Sequence, residues 1–240
     1  MGSPVLSETA PSDAPPLRDL AGYATQLIRG RRATRAFQPT PVPEATLRAV
    51  FDLAAAAPSN SNAQPWQVEV VSGARRDELA DALVAANGAG RTSVDFPYSE
   101  EIYTPVHQRR RAAFGAALYG ALDIGLDDHD KRAAYDAESL RFYGAPHVAM
   151  LFAPDTAEAR LAADIGMYGQ TLLLALTAHG VASCPQGLLS FYADTVRDVL
   201  GIHGGKLLFG ISFGYAVTDA PVNTVTAGRE PLPTTTRFHR

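Results

Sequence analysis

The chain has 240 residues, of which 46% are hydrophobic and 19% are charged, and its formal net charge at pH 7 is −4. This is enough for one substantial hydrophobic core and does not require several domains. The negative charge argues against a broad nucleic-acid-binding surface, and the single cysteine, Cys184, excludes an internal disulfide and any multi-cysteine metal site.

The first 16 residues differ in composition from the rest of the chain. They are rich in Pro, Ser, Ala and acidic residues, which predicts a disordered tail. They have neither the basic start nor the apolar centre of a secretory leader, and no apolar run reaches the roughly 18 residues needed to span a bilayer. We therefore expect a cytoplasmic protein without a membrane segment, with a single folded domain over residues 17–240.

Hydrophobic periodicity predicts the elements in chain order. A first helix starts at Leu17 and is ended by Gly30, and a second starts near Glu44 and is ended by Pro58. Alternating apolar residues over 66–72 predict a half-buried strand. A third helix follows over residues 75–87.

Two short apolar runs in the second half of the chain predict further strands, with a long helix between them. The strands are Val148–Phe152 and Leu207–Phe213, and the helix is Ala157–His179. Strands separated by helices indicate an α+β protein whose helices pack on a sheet.

Three arginines stand within five residues directly after the first predicted helix, at Arg31, Arg32 and Arg35. Several fixed charges with forked donors can converge on one anion, as phosphate recognition requires. Taken alone, such a run is more often explained by solvation and by the helix dipole.

A second polar motif occupies residues 58–66, with the sequence Pro-Ser-Asn-Ser-Asn-Ala-Gln-Pro-Trp. Asn60, Asn62 and Gln64 can each donate and accept hydrogen bonds, as the mixed edge of a flavin pyrimidine ring requires. Taken alone, a Ser/Asn/Pro run is usually only a turn.

Together and in this order, the two motifs resemble those of the nitroreductase family of FMN-dependent oxidoreductases. Residues 31–37 match the family's Arg-Arg-Ser-x-Arg-x-Phe, with Ala33 where serine is usual, and residues 58–66 match its Pro-Ser-x-x-Asn-x-Gln-Pro-Trp. The resemblance, over about residues 17–240, implies an α+β nitroreductase-like fold. Its central, mostly antiparallel sheet would be flanked by helices, in an intertwined homodimer.

Later segments extend the resemblance. The segment Cys184-Pro185-Gln186-Gly187 corresponds to a family loop that passes near flavin N5; without the resemblance it is an ordinary turn, and Cys184 a small buried side chain. Arg141 stands where the family often has a basic residue close to the flavin, although it could equally be a surface arginine.

The end of the chain resembles the family's closing motif at Asn223 and Arg229, although Thr226 stands where its first arginine is usual. Arg229 remains a candidate phosphate ligand, and with neither the hydroxyl at position 33 nor that first arginine, Arg31, Arg32 and Arg229 would carry more of the phosphate binding. By resemblance, residues 218–240 form an arm on the partner subunit, whereas the sequence alone predicts a disordered tail.

The resemblance implies FMN as cofactor, NADPH or NADH as co-substrate, and no metal. In the family, the amide-bearing loop of each site comes from the subunit opposite the arginines, and Arg35, with Arg141 as helper, would be the cation beside flavin N1 and O2. The cofactor-binding residues implied by position are Arg31, Arg32, Ala33, Arg35, Pro58, Ser59, Asn60, Asn62, Gln64, Arg141, Pro185, Gln186, Gly187 and Arg229.

Residues 88–135 depart from the regular pattern and contain several aromatic residues and Arg109–Arg111. By resemblance this insertion is a lid over the flavin; the alternative is a surface helix whose aromatic side chains belong to the core. The three arginines are explained by a solvated surface, or they could contact the extra phosphate of NADPH.

The implied activity is hydride transfer from NAD(P)H through the flavin to nitroaromatics, quinones or related flat acceptors, by a ping-pong mechanism. It needs no protein nucleophile. No G-x-G-x-x-G fingerprint is present, so the nicotinamide would bind transiently over the flavin. The alternatives are a flavin reductase of dehalogenase or enoyl type, a non-catalytic FMN storage or sensing protein, and an α+β interaction domain without flavin.

Overall fold

A computed structural model of the chain describes residues 17–240. The predicted disordered tail, residues 1–16, lies outside the described residues. The strands are β1 Gln67–Ser72, β2 His147–Ala153, β3 Ala182–Gln186 and β4 Lys206–Gly214. The α-helices of this range are α1 Leu17–Gly30, α2 Glu44–Ala55, α3 Gly73–Gly88, α4 Pro105–Ala121, α5 His129–Leu140, α6 Ala159–Ala178, α7 Ala193–Leu200, α8 Pro221–Thr224 and α9 Leu232–Thr235.

The four strands form one antiparallel sheet in the spatial order β1-β2-β4-β3. Every residue of β2 is buried, which is the burial expected of a strand covered on both faces. The predicted central antiparallel sheet is therefore confirmed.

Successive side chains of β2 point to opposite faces of the sheet and so belong to two different cores. Val148 and Met150 pack with residues of α3 and α7, whereas Ala149 and Leu151 pack with residues of α2 and α6. Helices thus cover both faces of the sheet, as the α+β prediction requires.

Helix α6 has 20 residues and is long and apolar enough, by length and composition alone, to cross a membrane. The sequence predicts a long helix here, but no apolar run of the roughly 18 residues needed to span a bilayer. Its Ile165, Leu172 and Leu176 are fully buried in the core formed with α2 and the sheet. The apolar character of α6 is therefore explained by its place at the centre of the fold.

The predicted helices over residues 17–30, 44–57, 75–87 and 157–179 and the three predicted strands are confirmed to within a few residues. The prediction of a loop or turn at Cys184–Gly187 is wrong, because Cys184 and Pro185 lie within β3. Among the strands of residues 17–240, β3 pairs only with β4. Proline is tolerated on such an edge strand because its missing N–H can face away from the ladder.

Candidate functional site

Residues 31–37, which we call the arginine motif, continue from α1 as an extended segment along the outer edge of β3. Ala33 forms a parallel bridge with Ser183, and the Thr34 amide donates to the Ser183 carbonyl at 2.9 Å. Four residues later, buried Phe37 forms an antiparallel bridge with Ala216, just beyond β4. The motif is therefore held by backbone pairing, which leaves its arginine side chains available to a ligand.

These arginines line a cleft of about 770 Å³. Five of its lining residues are arginines and none is a carboxylate residue. Of the predicted cofactor residues, the structure thus brings six together: Arg31, Arg32, Ala33, Arg35, Pro185 and Arg229. The other lining residues are Ile28, Arg29, Phe114, Gln170, Leu173, Val225, Thr226 and Ala227.

The cleft has a strongly positive charge that the described carboxylates do not neutralise. Within residues 17–240, none of the salt bridges involves Arg31, Arg32, Arg35 or Arg229. Burial lowers the pKa of Arg31, and the positive charges of Arg229 and Arg32 lower it further. Like charges gathered in this way favour the binding of an anion.

Asn223 fixes the backbone of the arginine motif to the C-terminal segment. Its Oδ1 accepts from the Arg35 amide at 2.7 Å, and its Nδ2 donates to the Ala36 carbonyl at 2.9 Å and to the Val217 carbonyl at 2.8 Å. From the sequence, Asn223 matches only a position of the closing motif and has no predicted role. The motif match was the available signal, but only the fold reveals its contact with Arg35.

Residues 58–64, which we call the amide loop, follow α2 and contain a short 3-10 turn, Asn60–Asn62. The side chains of Asn60, Asn62 and Gln64 are exposed, and the amide loop does not line the arginine cleft of its own chain. The fold of one chain therefore separates the two motifs that carry the resemblance.

The model of the nitroreductase family matches residues 28–215. The chain belongs to the nitroreductase family. It is 63% identical over 225 residues to nitroreductase NfnB of Mycolicibacterium smegmatis, with 94% of this chain and 96% of that protein covered. It is 34% identical to the 4-nitrobenzoate reductase of a Nocardioides species, with 95% of each chain covered.

A crystal structure of the FMN-dependent nitroreductase NfnB from Mycobacterium smegmatis in complex with NADPH has the same fold. Its TM-score is 0.91 at 64% sequence identity, and the match covers 92% of this chain and 100% of that chain. The family and fold predicted from the two motifs are therefore confirmed.

Besides those of the amide loop, three predicted cofactor residues lie away from the cleft. The Gln186 side chain is buried, where its Nε2 donates to the Ser139 carbonyl at 2.7 Å and its Oε1 accepts from the Ser212 hydroxyl. Gly187 follows at the start of a short 3-10 helix. Arg141 forms a surface ion pair with Asp81 at 2.8 Å.

Cys184 is the small buried side chain that the sequence predicts, with 1% of its surface exposed. Burial raises the pKa of its thiol to about 11. The thiol is therefore neutral near pH 7, and since only the thiolate is a strong nucleophile, Cys184 is not a reactive group.

The insertion over residues 88–135 contributes Phe114 of α4 to the cleft wall. The Arg35 guanidinium carbon lies 5.2 Å from the centre of the Phe114 ring, a cation–π distance. The alternative prediction of a surface helix matches α4, but Phe114 and Tyr119 on it are only half-buried. The function of the insertion as a lid stays a prediction.

Two of the three arginines in the insertion form ion pairs with acidic residues of the same chain. Arg110 pairs with Glu230 of the C-terminal segment at 2.9 Å, beside a second cavity of about 600 Å³. Arg111 pairs with Glu100 and lies over the Tyr103 ring at 4.1 Å. These pairs account for both side chains without a ligand.

Proposed function

We propose that this chain is an FMN-dependent NAD(P)H nitroreductase that reduces nitroaromatics, quinones or related flat acceptors by a ping-pong mechanism. The observation that carries the proposal is the carboxylate-free arginine cleft built by the family motif. The relatives support it by name: one is an FMN-dependent nitroreductase bound to NADPH, and another is a 4-nitrobenzoate reductase. This is the activity predicted from the sequence.

The residues of the cleft suit the phosphate end of FMN. A phosphate monoester carries about −1.5 to −2 charges at pH 7, and the arginine fork matches its oxygens. Arg31, Arg32 and Arg229 would hold it. Ala33 offers no hydroxyl, so the guanidinium groups would carry more of the binding.

When bound, FMN supplies the hydride-accepting and electron-donating chemistry. The protein's part is to bind, to orient and to exclude water. Arg35, held against Phe114 and Asn223, would offer a positive charge to the polar edge of the flavin. The amides of Asn62 and Gln64 would form hydrogen bonds with that edge.

The site we propose is completed by a second copy of the chain. The amide loop does not line the cleft of its own chain, and its polar side chains are exposed. Helix α1 also exposes Leu20, Tyr23 and Ile28, an apolar face suited to a partner surface. In the homodimer, the amide loop of one subunit would meet the arginines of the other.

The C-terminal segment 218–240 would continue onto the partner as an arm. It is tied to its own subunit near its start by Asn223 and at Glu230 by the pair with Arg110. Beyond these contacts, Leu232 and Phe238 are 59% and 75% exposed, and a second subunit would cover such side chains.

The proposed location is the cytoplasm. NAD(P)H is a reductant of that compartment. Cysteines there are usually free thiols, as Cys184 is. The proposed partners are a second copy and a small aromatic or quinone-like substrate, without nucleic acid or membrane.

A visible spectrum tests the proposed function. It is recorded on the purified protein, again after anaerobic NADPH, and again after a nitroaromatic is added. An oxidised flavin band should bleach with NADPH and return with the nitro compound. A band that never bleaches indicates an FMN storage or sensing protein. If the protein retains no flavin band after incubation with FMN and removal of the free FMN, the proposal is contradicted.

Turnover assays with a haloaromatic and with an enone address the remaining flavin reductase alternatives. The proposed enzyme should oxidise NADPH faster with nitroaromatics and quinones than with either of these acceptors. A higher rate with the haloaromatic or the enone would indicate a dehalogenase or enoyl-type reductase instead.

A further inference from the structure

Asp164 is a buried carboxylate on α6 that no predicted function uses. It is 2% exposed, and its Oδ1 accepts from the backbone amide of Asn60 at 3.1 Å. Its Oδ2 has no hydrogen-bond partner among the described residues. Burying a carboxyl group away from water costs free energy unless hydrogen bonds compensate for the lost hydration. A buried polar group with an unpaired oxygen therefore needs a structural or functional explanation.

The amide loop that Asp164 contacts has an unfavourable backbone. Ser61, Asn62 and Gln64 have φ angles of 51°, 56° and 47°, in the left-handed region that residues with a side chain rarely adopt. Such conformations persist only where surrounding contacts impose them, and they cluster at functional sites.

Hydrogen bonds within the loop, including one from the Gln64 side chain to the Asn62 carbonyl at 3.2 Å, and contacts from the core impose this conformation. Within the loop, the backbone N–H of Gln64 donates to the Ser59 hydroxyl at 2.9 Å, and the backbone N–H of Asn62 donates to the Ser59 carbonyl at 3.1 Å. From the core, the Asp164 carboxylate accepts a hydrogen bond from the Asn60 backbone amide. One turn later on α6, the Tyr168 ring packs on Trp66, with the ring centres 5.0 Å apart. Helix α6 thus contacts the loop near its start and the chain just after its end.

We infer that Asp164 is a positioning residue for flavin binding. Through the Asn60 amide it holds the amide loop in its strained conformation, and so aims the side chains of Asn62 and Gln64 at the flavin. The inference rests on the proposed function for its catalytic meaning, whereas the ordering of the loop is a property of the chain itself.

Two pairs of variants test the inference. Asp164→Ala removes the acceptor, whereas Asp164→Asn keeps an amide carbonyl that can replace Oδ1. Asn60→Pro removes the donor, whereas Asn60→Ala loses the same side chain and keeps the N–H. Proline suits the first position of a helical turn, and Ser59 already has the extended backbone that a following proline requires. The two pairs thus address the same hydrogen bond from opposite sides.

Hydrogen exchange of peptides covering the amide loop is the first measurement, made on the purified protein without added FMN and with it. Asp164→Ala and Asn60→Pro should raise the exchange rate by about tenfold or more, because the loop opens more often. Without FMN, loop exchange in Asp164→Asn and Asn60→Ala should stay near wild type. Ile165→Ala, a core truncation one residue along α6, should lower the melting temperature without changing loop exchange.

Flavin affinity and midpoint potential are the second measurement. Asp164→Ala should weaken FMN binding by about tenfold and shift the midpoint potential of the bound flavin to a more negative value, and Asp164→Asn should restore both. A role in stability alone would lower the melting temperature and leave the potential of the FMN-saturated protein unchanged.

The outcomes separate the inference from the proposed function. Equal loop exchange within each pair of variants overturns the inference, whatever the flavin does, and so does an unchanged midpoint potential in FMN-saturated Asp164→Ala. A wild-type protein that binds no FMN overturns the proposed function and the flavin role of Asp164, while the exchange data still decide whether Asp164 orders the loop. If Asp164→Ala does not fold, the Asn60 pair decides.

Discussion

Asn223 and Arg35 lie 188 residues apart in the chain, and the side-chain oxygen of Asn223 accepts the backbone amide of Arg35 at 2.7 Å. The same side chain donates to the next carbonyl, that of Ala36, at 2.9 Å. The side-chain amide of Asn223 thereby links the backbone of the arginine motif to the C-terminal segment. The same segment supplies Arg229 to the cleft. The guanidinium groups from the two ends of the chain are in this way brought to one site.

Replacing Asn223 by Ala should weaken FMN binding by about tenfold, because the partly buried backbone amide of Arg35 loses its acceptor, while the Ala36 carbonyl retains the Val217 amide as a donor. Titration of the apoprotein with FMN, followed by flavin fluorescence, measures this. Thr224→Val is the matched control, since the exposed Thr224 hydroxyl donates only to Pro221 within its own short helix. Equal affinities for the two variants would contradict the role of Asn223.

Replacing Arg31 by Gln should weaken FMN binding by about 10- to 100-fold, since a hydrogen bond to a charged group contributes about 1.5–3 kcal/mol. The salt dependence of binding should also become shallower, because one charge is lost from the cleft. Isothermal titration at several salt concentrations measures both. Arg48→Gln removes a surface arginine that pairs only with Glu44, and it should leave both unchanged.

Ala33→Ser should strengthen FMN binding by a few fold. Ala33 lines the cleft at the position where the family usually has serine, and a hydroxyl there adds one donor for a phosphate oxygen. The gain should be visible with FMN and absent with riboflavin, which has the same ring and no phosphate. An equal gain with riboflavin would mean that Ala33 does not face the phosphate.

His147 should make the protein less stable in mild acid. Its Nε2 accepts from the Val42 amide at 2.9 Å, so the ring is neutral, with its proton on Nδ1 beside the Ser72 hydroxyl. Burial lowers the pKa of His147 in the folded state. The unfolded chain then takes up the proton first, and the free energy of unfolding falls as pH drops below about 6.5 toward the lowered folded pKa.

Urea unfolding between about pH 8 and about pH 5 measures this effect, whose slope is at most about 1.4 kcal/mol per pH unit for one group. His147→Gln should be less stable than wild type at the upper end and should have a flatter pH dependence. His107→Gln, at an exposed position on α4, should keep the wild-type dependence. A His147→Gln curve parallel to wild type would contradict this account.

Mixed dimers test the assembly of the site. Arg31→Gln and Asn62→Ala each damage one half of the proposed site. If each site combines the arginines of one subunit with the amide loop of the other, a heterodimer has one doubly damaged site and one intact site. Co-expressed, differently tagged chains should then recover about half of the wild-type activity per heterodimer. Activity no higher than that of the two parent variants would mean that both halves come from the same chain.

The sequence by itself determined the regular elements and the family. Apolar periodicity located α1, α2, α3 and α6, because the spacing of apolar residues along a helix records which face is buried. Two short motifs identified the nitroreductase family, because each keeps several polar residues in a fixed order. These are local signals, and they can be read before any folding is known.

Only the tertiary structure decided which residues that are distant in sequence lie next to each other. β3 carries Pro185 and a polar stretch, and it becomes a strand only because β4 offers a partner along its length. Gln186, predicted at the cofactor site, has its side chain in the core beside Ser139 and Ser212, whereas Arg31 and Arg229 meet at the cleft from opposite ends of the chain. Such contacts depend on which surfaces the sheet brings together, and no local pattern records the pairing of residues so far apart in sequence.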